Sequence, residues 1–336
     1  MRDFLKGQIL ENKAKTVLVL KGGQSTEHEV SLRSAEYLVQ LLTKKYTVLE
    51  VFIDKNGQWF FNRKPCSLRG QVLHTTSGEV PFDVLIPNAC HGIPGETGHL
   101  QAMAELFSIP YIGPDYESCL MCFNKGMTKL WLKEFNIPVV DSIILTEAND
   151  PRGLTFFDRY QAAFVKASNQ GSSVGCYPVK KRDDLEQKIL EAFQFSDSVL
   201  LEELLTPREF EISVYEFEGQ LHASHPAEIH PPQGDFYSYK EKYDNESRTG
   251  LTLKADLANE QVILIQSLAK KAFKVLGLSG FCRVDFFISG DKILFNEVNT
   301  LPGMTSISQF PKMIEENGHS FADFLSYHIE KSAPAS

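Results

Sequence analysis

The stretch FCRVDFFISGDKILFNEVNT, Phe281 to Thr300, constrains this chain more than any other segment. Two runs rich in Phe, Val and Ile flank a Gly-Asp turn, the pattern of a β-hairpin. Side chains alternate along a strand, so Phe281, Arg283, Asp285 and Phe287 share one face, while Cys282, Val284, Phe286 and Ile288 form the other. On the return strand Ile293, Phe295, Glu297 and Asn299 again share a face. A three-residue loop, Gly290-Asp291-Lys292, sets Asp285 across from Glu297 and Arg283 across from Asn299. Two carboxylates and an amide oxygen suit Mg2+, a hard cation that commonly shares its ligands with substrate phosphates. The neighbouring arginine is suited to a developing anion. Polar residues on one face of a hairpin usually mean only that the face is wet. Three oxygen ligands and an arginine on adjacent strands, followed by TLPGMTSIS, favour a metal-nucleotide site instead.

At 336 residues the chain is long enough for two or three domains. Its net charge of −9, with no basic stripe, argues against a nucleic-acid partner. An acidic chain that binds nucleotide must build local positive sites, so individual lysines become informative. No apolar run approaches the roughly 18 residues that span a bilayer. The start, MRDFLKGQILENKAK, carries charges throughout and no signal-peptide core, so a cytoplasmic enzyme is expected. Cys119 and Cys122 form a lone CxxC and read as helical thiols rather than a zinc site. His222, His225 and His230 alternate faces of a strand without zinc-site partners.

The first segment alternates strands (Lys15 to Leu20, Tyr46 to Ile53, Asp83 to Ala89) with a helix, SLRSAEYLVQLL. That rhythm predicts an α/β domain with a doubly wound parallel sheet, whose ligands lie beyond the carboxyl ends of the strands. Two Gly-rich loops, GGQSTEHEV and HGIPGETG, follow such ends. The expected division is an extension over 1–14, the α/β domain over 15–123, an α+β unit over 124–207, and a second over 208–332. Within the last, QLHASHPAEIH reads as one long strand and Asn259 to Leu278 as a helix. Between them, 231–250 form a polar, tyrosine- and lysine-rich loop with the character of a lid. FVKASNQGSSVG, Phe164 to Gly175, places a Gly/Ser loop between two strands. Its backbone N–H groups can cradle phosphate oxygens, with Lys166 as a point charge. No GxxxxGK[ST] or GxGxxG is present.

Seven runs, in order, resemble one family over about residues 15 to 330: KGGQSTEHEVSLRSA, HGIPGETGHLQ, IPYIGP, FVKASNQGSSVG, DFYSYKEKY, RVDFF and NEVNTLPGMTSIS. They resemble the D-alanine–D-alanine ligases of the ATP-grasp superfamily. The resemblance implies an ATP-grasp fold, with ATP between the two α+β units. It also implies a two-step reaction through an acyl phosphate, with D-alanine as both substrates and peptidoglycan precursor synthesis as the purpose. Glu27 would hold the first substrate's ammonium, joined by His91, and form an orienting set with Ser172 and Tyr243. Lys125, Lys166 and Lys242 would grip phosphates beside Ser173. Glu202 and Leu205 would line the adenine and ribose pocket, with Glu209 on the ribose. Asp285, Glu297 and Asn299 would bind two Mg2+ (or Mn2+). Arg283 and the Gly303 amide would stabilise the tetrahedral oxyanion, and Ser308, beside Gln309, would bind the second substrate's carboxylate. The family is commonly dimeric, so a homodimer is expected. Thr97, Glu203 and Gln309 depart from the family pattern. The alternatives are a D-Ala–D-Ser or D-Ala–D-lactate ligase, against which Tyr243 speaks, and a silent ATP-binding module, against which Arg283, Asp285, Glu297 and Asn299 speak.

Overall fold

The computed structural model describes residues 14–230 and 250–332. The first apolar run forms β1 (Thr16–Gly22), followed by α1 (His28–Leu42) and β2 (Thr47–Ile53). Val30, Ser34, Leu38 and Leu42 recur at helical spacing and are buried, so α1 lies with one face against the sheet. A meander of β3 (Trp59–Phe61), β4 (Lys64–Arg69), β5 (Val72–Thr75) and β6 (Gly78–Pro81) comes next, then β7 (Val84–Ile86). The sheet order is β6-β5-β4-β3-β2-β1-β7. Only β2, β1 and β7 run parallel. The parallel core expected from the α/β rhythm is thus present, and the antiparallel meander extends it on one side. Residues 59–81 mix proline, glycine and charge with short apolar runs, which conceals these strands from a period-two search.

Helices α2 (His99–Leu106), α3 (Tyr116–Phe123) and α4 (Lys125–Glu134) lead into the second unit. Asp115 and Asn124 cap α3 and α4, each side chain accepting from a backbone N–H in the first turn. Cys119 and Cys122 lie on α3 as buried free thiols. The unit contains β8 (Ser142–Leu145), α5 (Arg152–Tyr160), β9 (Ala163–Ala167), β10 (Cys176–Val179), α6 (Leu185–Phe193) and β11 (Val199–Glu203). Its four antiparallel strands run β10-β9-β11-β8 around their own buried cluster, which includes Leu145, Val165, Ile189 and Leu201.

The third sheet contains β12 (Arg208–Phe217), β13 (Gln220–Ala223), β14 (Ala227–His230), β15 (Gly250–Thr252), and later β16 (Phe281–Ser289) and β17 (Lys292–Asn299). QLHASHPAEIH is two strands rather than one. Pro226, with no N–H to give the ladder, separates β13 from β14, and each pairs with its own part of β12. Helix α7 (Asn259–Val275) ends before the expected Leu278, because Gly277 at φ +68° breaks it. Helices α8 (Gln309–Glu316) and α9 (Phe321–Lys331) close the chain. Phe310 and Phe324 carry them into a core shared with Val17 and Ile86 of the first sheet and Leu38 of α1. Each such buried side chain contributes about 1.5–3 kcal/mol. This shared core fixes the loops after β1 and β7 against the C-terminal hairpin. His222 stacks on Tyr215, and His230 bonds Thr252.

Candidate active site

Two cavities, of about 890 and 460 Å3, lie where the three units meet. Lys125, Ser172, Glu211 and Glu297 line both, so the cavities open onto each other through those side chains. The larger one collects Glu27, His91, Arg283, Asn299, Gly303, Ser308 and Gln309. The smaller one collects Lys166, Ser173, Glu202, Leu205, Glu209 and Asp285. Every expected site residue within the described segments therefore lines one of two joined spaces. Tyr243 and Lys242 lie outside the described residues, as does the expected lid over 231–250 except Gly250, which begins β15.

The hairpin reaches the expected pairing by a different route. Ser289 pairs with Lys292, so the loop has two residues, Gly290 and Asp291, not three. A register shift between Asp285 and Phe286 then inserts Asn296 as an extra residue on β17. Asp285 consequently faces Glu297, and Arg283 faces Asn299. Arg283 grips Asp285 with Nε and Nη2, both at 2.8 Å, and its Nη2 lies 3.4 Å from Glu211 Oε1. Asn299 Nδ2 donates to Asp285 Oδ2 at 3.1 Å. Glu211, directly opposite Asp285 on β12, belongs to no sequence motif. The one signal for it in the sequence is its position two residues beyond Glu209, on the same strand face. Among the described residues no three His, Cys, Asp or Glu side chains converge as a metal site. The donor set is instead two carboxylates and an amide, all hard oxygens, which fits a cation that completes its shell with phosphate and water.

The residues expected to handle phosphate converge from two sides. Lys125, at the start of α4, reaches Glu297 Oε2 at 3.2 Å and donates to the Gln170 carbonyl at 2.6 Å. Lys166 Nζ lies 2.7 Å from Glu202 Oε2 and 3.2 Å from Asn296 Oδ1. Between β9 and β10, Ser172 and Ser173 both adopt positive φ, 51° and 62°. Two consecutive non-glycine residues in that region cost energy, and such strain concentrates where backbone groups are held for a ligand.

At the other end of the larger cavity, Glu27 is buried just ahead of α1. A Cβ placed on Gly171 or Gly92 would lie 3.4 or 3.2 Å from its Oε2, so both glycine loops close on this carboxylate. Both nitrogens of His91 are engaged, Nε2 with Ser34 Oγ at 2.8 Å and Nδ1 with the Leu301 carbonyl at 3.1 Å. Burial lowers its pKa, against the charge of Glu27, so His91 is a neutral strut between the HGIPGE and TLPG loops. Glu96, which the sequence pattern does not set apart, has its carboxyl pushed up to about 8 by burial and then by Glu27. The folded state therefore holds this proton between the ordinary 4.5 and about 8, where the unfolded chain has lost it. Its contribution to stability is fully present below 4.5 and disappears as pH rises toward 8. Thermal melts across that window are expected to fall more steeply for the native chain than for Glu96→Gln; parallel curves would contradict this. The same turn admits no side chain at Gly95, where a Cβ would lie 1.7 Å from the Cys90 carbonyl. Gly95→Ala is expected to cost about 1–3 kcal/mol or more by overpacking. It should also displace His91 and Glu96, and a native-like melt would refute the close contact.

Ser308 stands at the N-cap of α8, its hydroxyl accepting from Thr305 N at 3.0 Å and contacting Thr305 Oγ1 at 2.7 Å. A helix N-terminus beside it suits a carboxylate. A Cβ on Gly303 would fall 2.9 Å from Ser308 Oγ, so only glycine leaves that space open. Thr97 closes its turn by donating to the Pro94 carbonyl and contacting His99 Nδ1 at 2.6 Å. Glu203 lines the smaller cavity beside Glu202.

Residues 16–114 match the family model "D-ala D-ala ligase N-terminus", and 131–330 match "D-ala D-ala ligase C-terminus". The chain is 44% identical over 328 residues to a D-alanine–D-alanine ligase of Aeromonas salmonicida, covering 94% of this chain and 98% of the relative. The crystal structure of D-alanyl-alanine synthetase A from Vibrio cholerae superposes with a TM-score of 0.90 at 41% identity, covering 95% and 98% of the two chains. That of the VanG D-Ala:D-Ser ligase from Enterococcus faecalis gives 0.84 at 29% identity, covering 95% and 99%. With both family models matched in order along the chain and a relative of 44% identity covering nearly all of it, the chain belongs to the D-alanine–D-alanine ligase family, of ATP-grasp fold.

Proposed function

We propose that this enzyme joins two D-alanines at the expense of ATP, with release of ADP and phosphate, in the synthesis of a peptidoglycan precursor. The observation that carries this reading is the junction of the two cavities, where Lys125, Ser172 and Glu297 face both. A γ-phosphate arriving from the smaller cavity meets a carboxylate arriving from the larger one. The carboxylate of the first D-alanine attacks that phosphate and ADP departs. The amine of the second D-alanine then attacks the acyl carbon, and the tetrahedral intermediate expels phosphate.

Each described residue has a role consistent with its surroundings; those of Lys242 and Tyr243 rest on the resemblance. Glu27 faces the first ammonium, and Ser172 and Tyr243 complete the set that orients it. His91 holds the Leu301 carbonyl and so keeps Gly303 at the reacting centre. Lys125, Lys166 and Lys242 bind phosphates, together with the Ser173 amide. Glu202, Leu205 and Glu209 take the base and ribose. Asp285, Glu297 and Asn299 hold two Mg2+ ions, which supply charge neutralisation at the phosphates. Arg283, already fixed by Asp285 and Glu211, stabilises the oxyanion with the Gly303 amide. Ser308 and the α8 N-terminus receive the second carboxylate. The unit boundaries near 123 and 207, a closing lid over 231–250, a cytoplasmic location and a homodimer complete the proposal. No helix among the described residues is long and apolar enough to cross a membrane.

Product mass spectrometry after incubation with ATP, Mg2+ and equal D-alanine, D-serine and D-lactate tests the specificity. D-Ala–D-Ala should predominate. A D-Ala–D-Ser dipeptide or a D-lactate ester as the main product would assign the second subsite differently.

A further inference from the structure

No sequence motif marks Lys129, yet it is among the most buried charged side chains of the fold. It lies four residues beyond Lys125 on α4, on the same helix face. Its ammonium bonds Glu202 Oε1, and both side chains are only 2% exposed. The second oxygen of that carboxylate, Oε2, is held by Lys166 at 2.7 Å. Lys166 sits diagonally across the β9–β11 pair, since Leu200 is its register partner. Glu202 is thus clamped between two lysines, one of which faces the smaller cavity while the other, Lys129, lines neither.

We propose that Lys129 is a positioning residue for adenine recognition: it holds one oxygen of Glu202 throughout, so that the other passes from Lys166 to the exocyclic amine of the base. The inference rests on the nucleotide reading of the smaller cavity. An ionised carboxylate only accepts hydrogen bonds, so it favours a 6-amino base and opposes a 6-oxo one. When Lys166 turns to the phosphates, Glu202 loses a counter-ion. Without Lys129 it would become a buried unpaired charge. Burial raises the Glu202 pKa, but the charges of Lys129 and Lys166 outweigh it and keep the group below its ordinary range.

The test uses the intact enzyme with ATP and GTP. Lys129→Met is expected to raise the ATP KM at least about tenfold, with the D-alanine KM within about twofold and kcat falling less than KM rises. Glu202→Gln is the sharper variant. Its carbonyl must face the Lys129 ammonium, so its NH2 faces the base, and the kcat/KM preference should move toward GTP by about 100-fold or more. An unchanged ATP KM in Lys129→Met, or a native ATP/GTP ratio in Glu202→Gln, would overturn the proposal. Should Lys129→Met fail to fold, the Glu202→Gln ratio decides alone. Absence of ATP-dependent ligation in the native chain would instead refute the proposed function itself.

Discussion

Arg283→Met is expected to lower kcat/KM by about 10²–10³-fold and to destabilise the fold at once. On the proposed role, the rate loss follows from removing one preorganised donor at a developing oxyanion. The stability loss follows from the geometry around the guanidinium. Asp285 takes a two-pronged bond from it, and Glu211 approaches to 3.4 Å, with side-chain exposures of 12% and 5%. Deleting the cation leaves two buried carboxylates short of a counter-ion, which typically costs about 3–5 kcal/mol. Arg283→Lys separates the two effects. It retains charge and should recover much of the stability, but a point charge cannot reproduce the fork, so the rate should stay low. Steady-state kinetics and denaturant melts of both variants check this. A rate loss below about tenfold in Arg283→Met would remove Arg283 from the reacting centre.

Asp285→Asn should suppress Mg2+-dependent ADP release by roughly 10²–10³-fold, since metal stabilisation of a phosphoryl transfer is worth several kcal/mol and about 1.4 kcal/mol is tenfold. The change is nearly isosteric, and Arg283 keeps Glu211, so the fold should survive. The Mg2+ concentration for half-maximal activity should rise as well. A native Mg2+ titration would sink the metal assignment.

The pairing of Asp285 with Glu297 is legible in the alternation of the two strands, although the fold arrives at it by another route. Gly290-Asp291 and Gly290-Asp291-Lys292 are both acceptable loops, and the Asn296 bulge leaves no local mark. The shorter loop and the extra residue cancel. Glu211 is not legible, because its importance depends on β12 lying beside β16, a pairing between residues more than 70 apart. Lys129 is hidden differently: a lysine on an amphipathic helix reads as solvated until a buried glutamate is found beneath it. Weak alternation conceals the β3–β6 meander. The break at Pro226 rests on a single missing N–H within an otherwise continuous strand pattern. By contrast, the Gly-rich loops carry their own chemistry, and Glu27, Ser172 and Lys166 lie where strand ends and a Gly/Ser turn place them.

The most direct measurement of the central claim uses D-alanine labelled with 18O in both carboxylate oxygens, with ATP and Mg2+, and mass spectrometry of phosphate and dipeptide together. Attack of the first carboxylate on the γ-phosphate should leave one 18O per turnover in phosphate, with three in D-Ala–D-Ala. Unlabelled phosphate, or 18O recovered in AMP, would contradict an acyl-phosphate route and the residue roles built upon it.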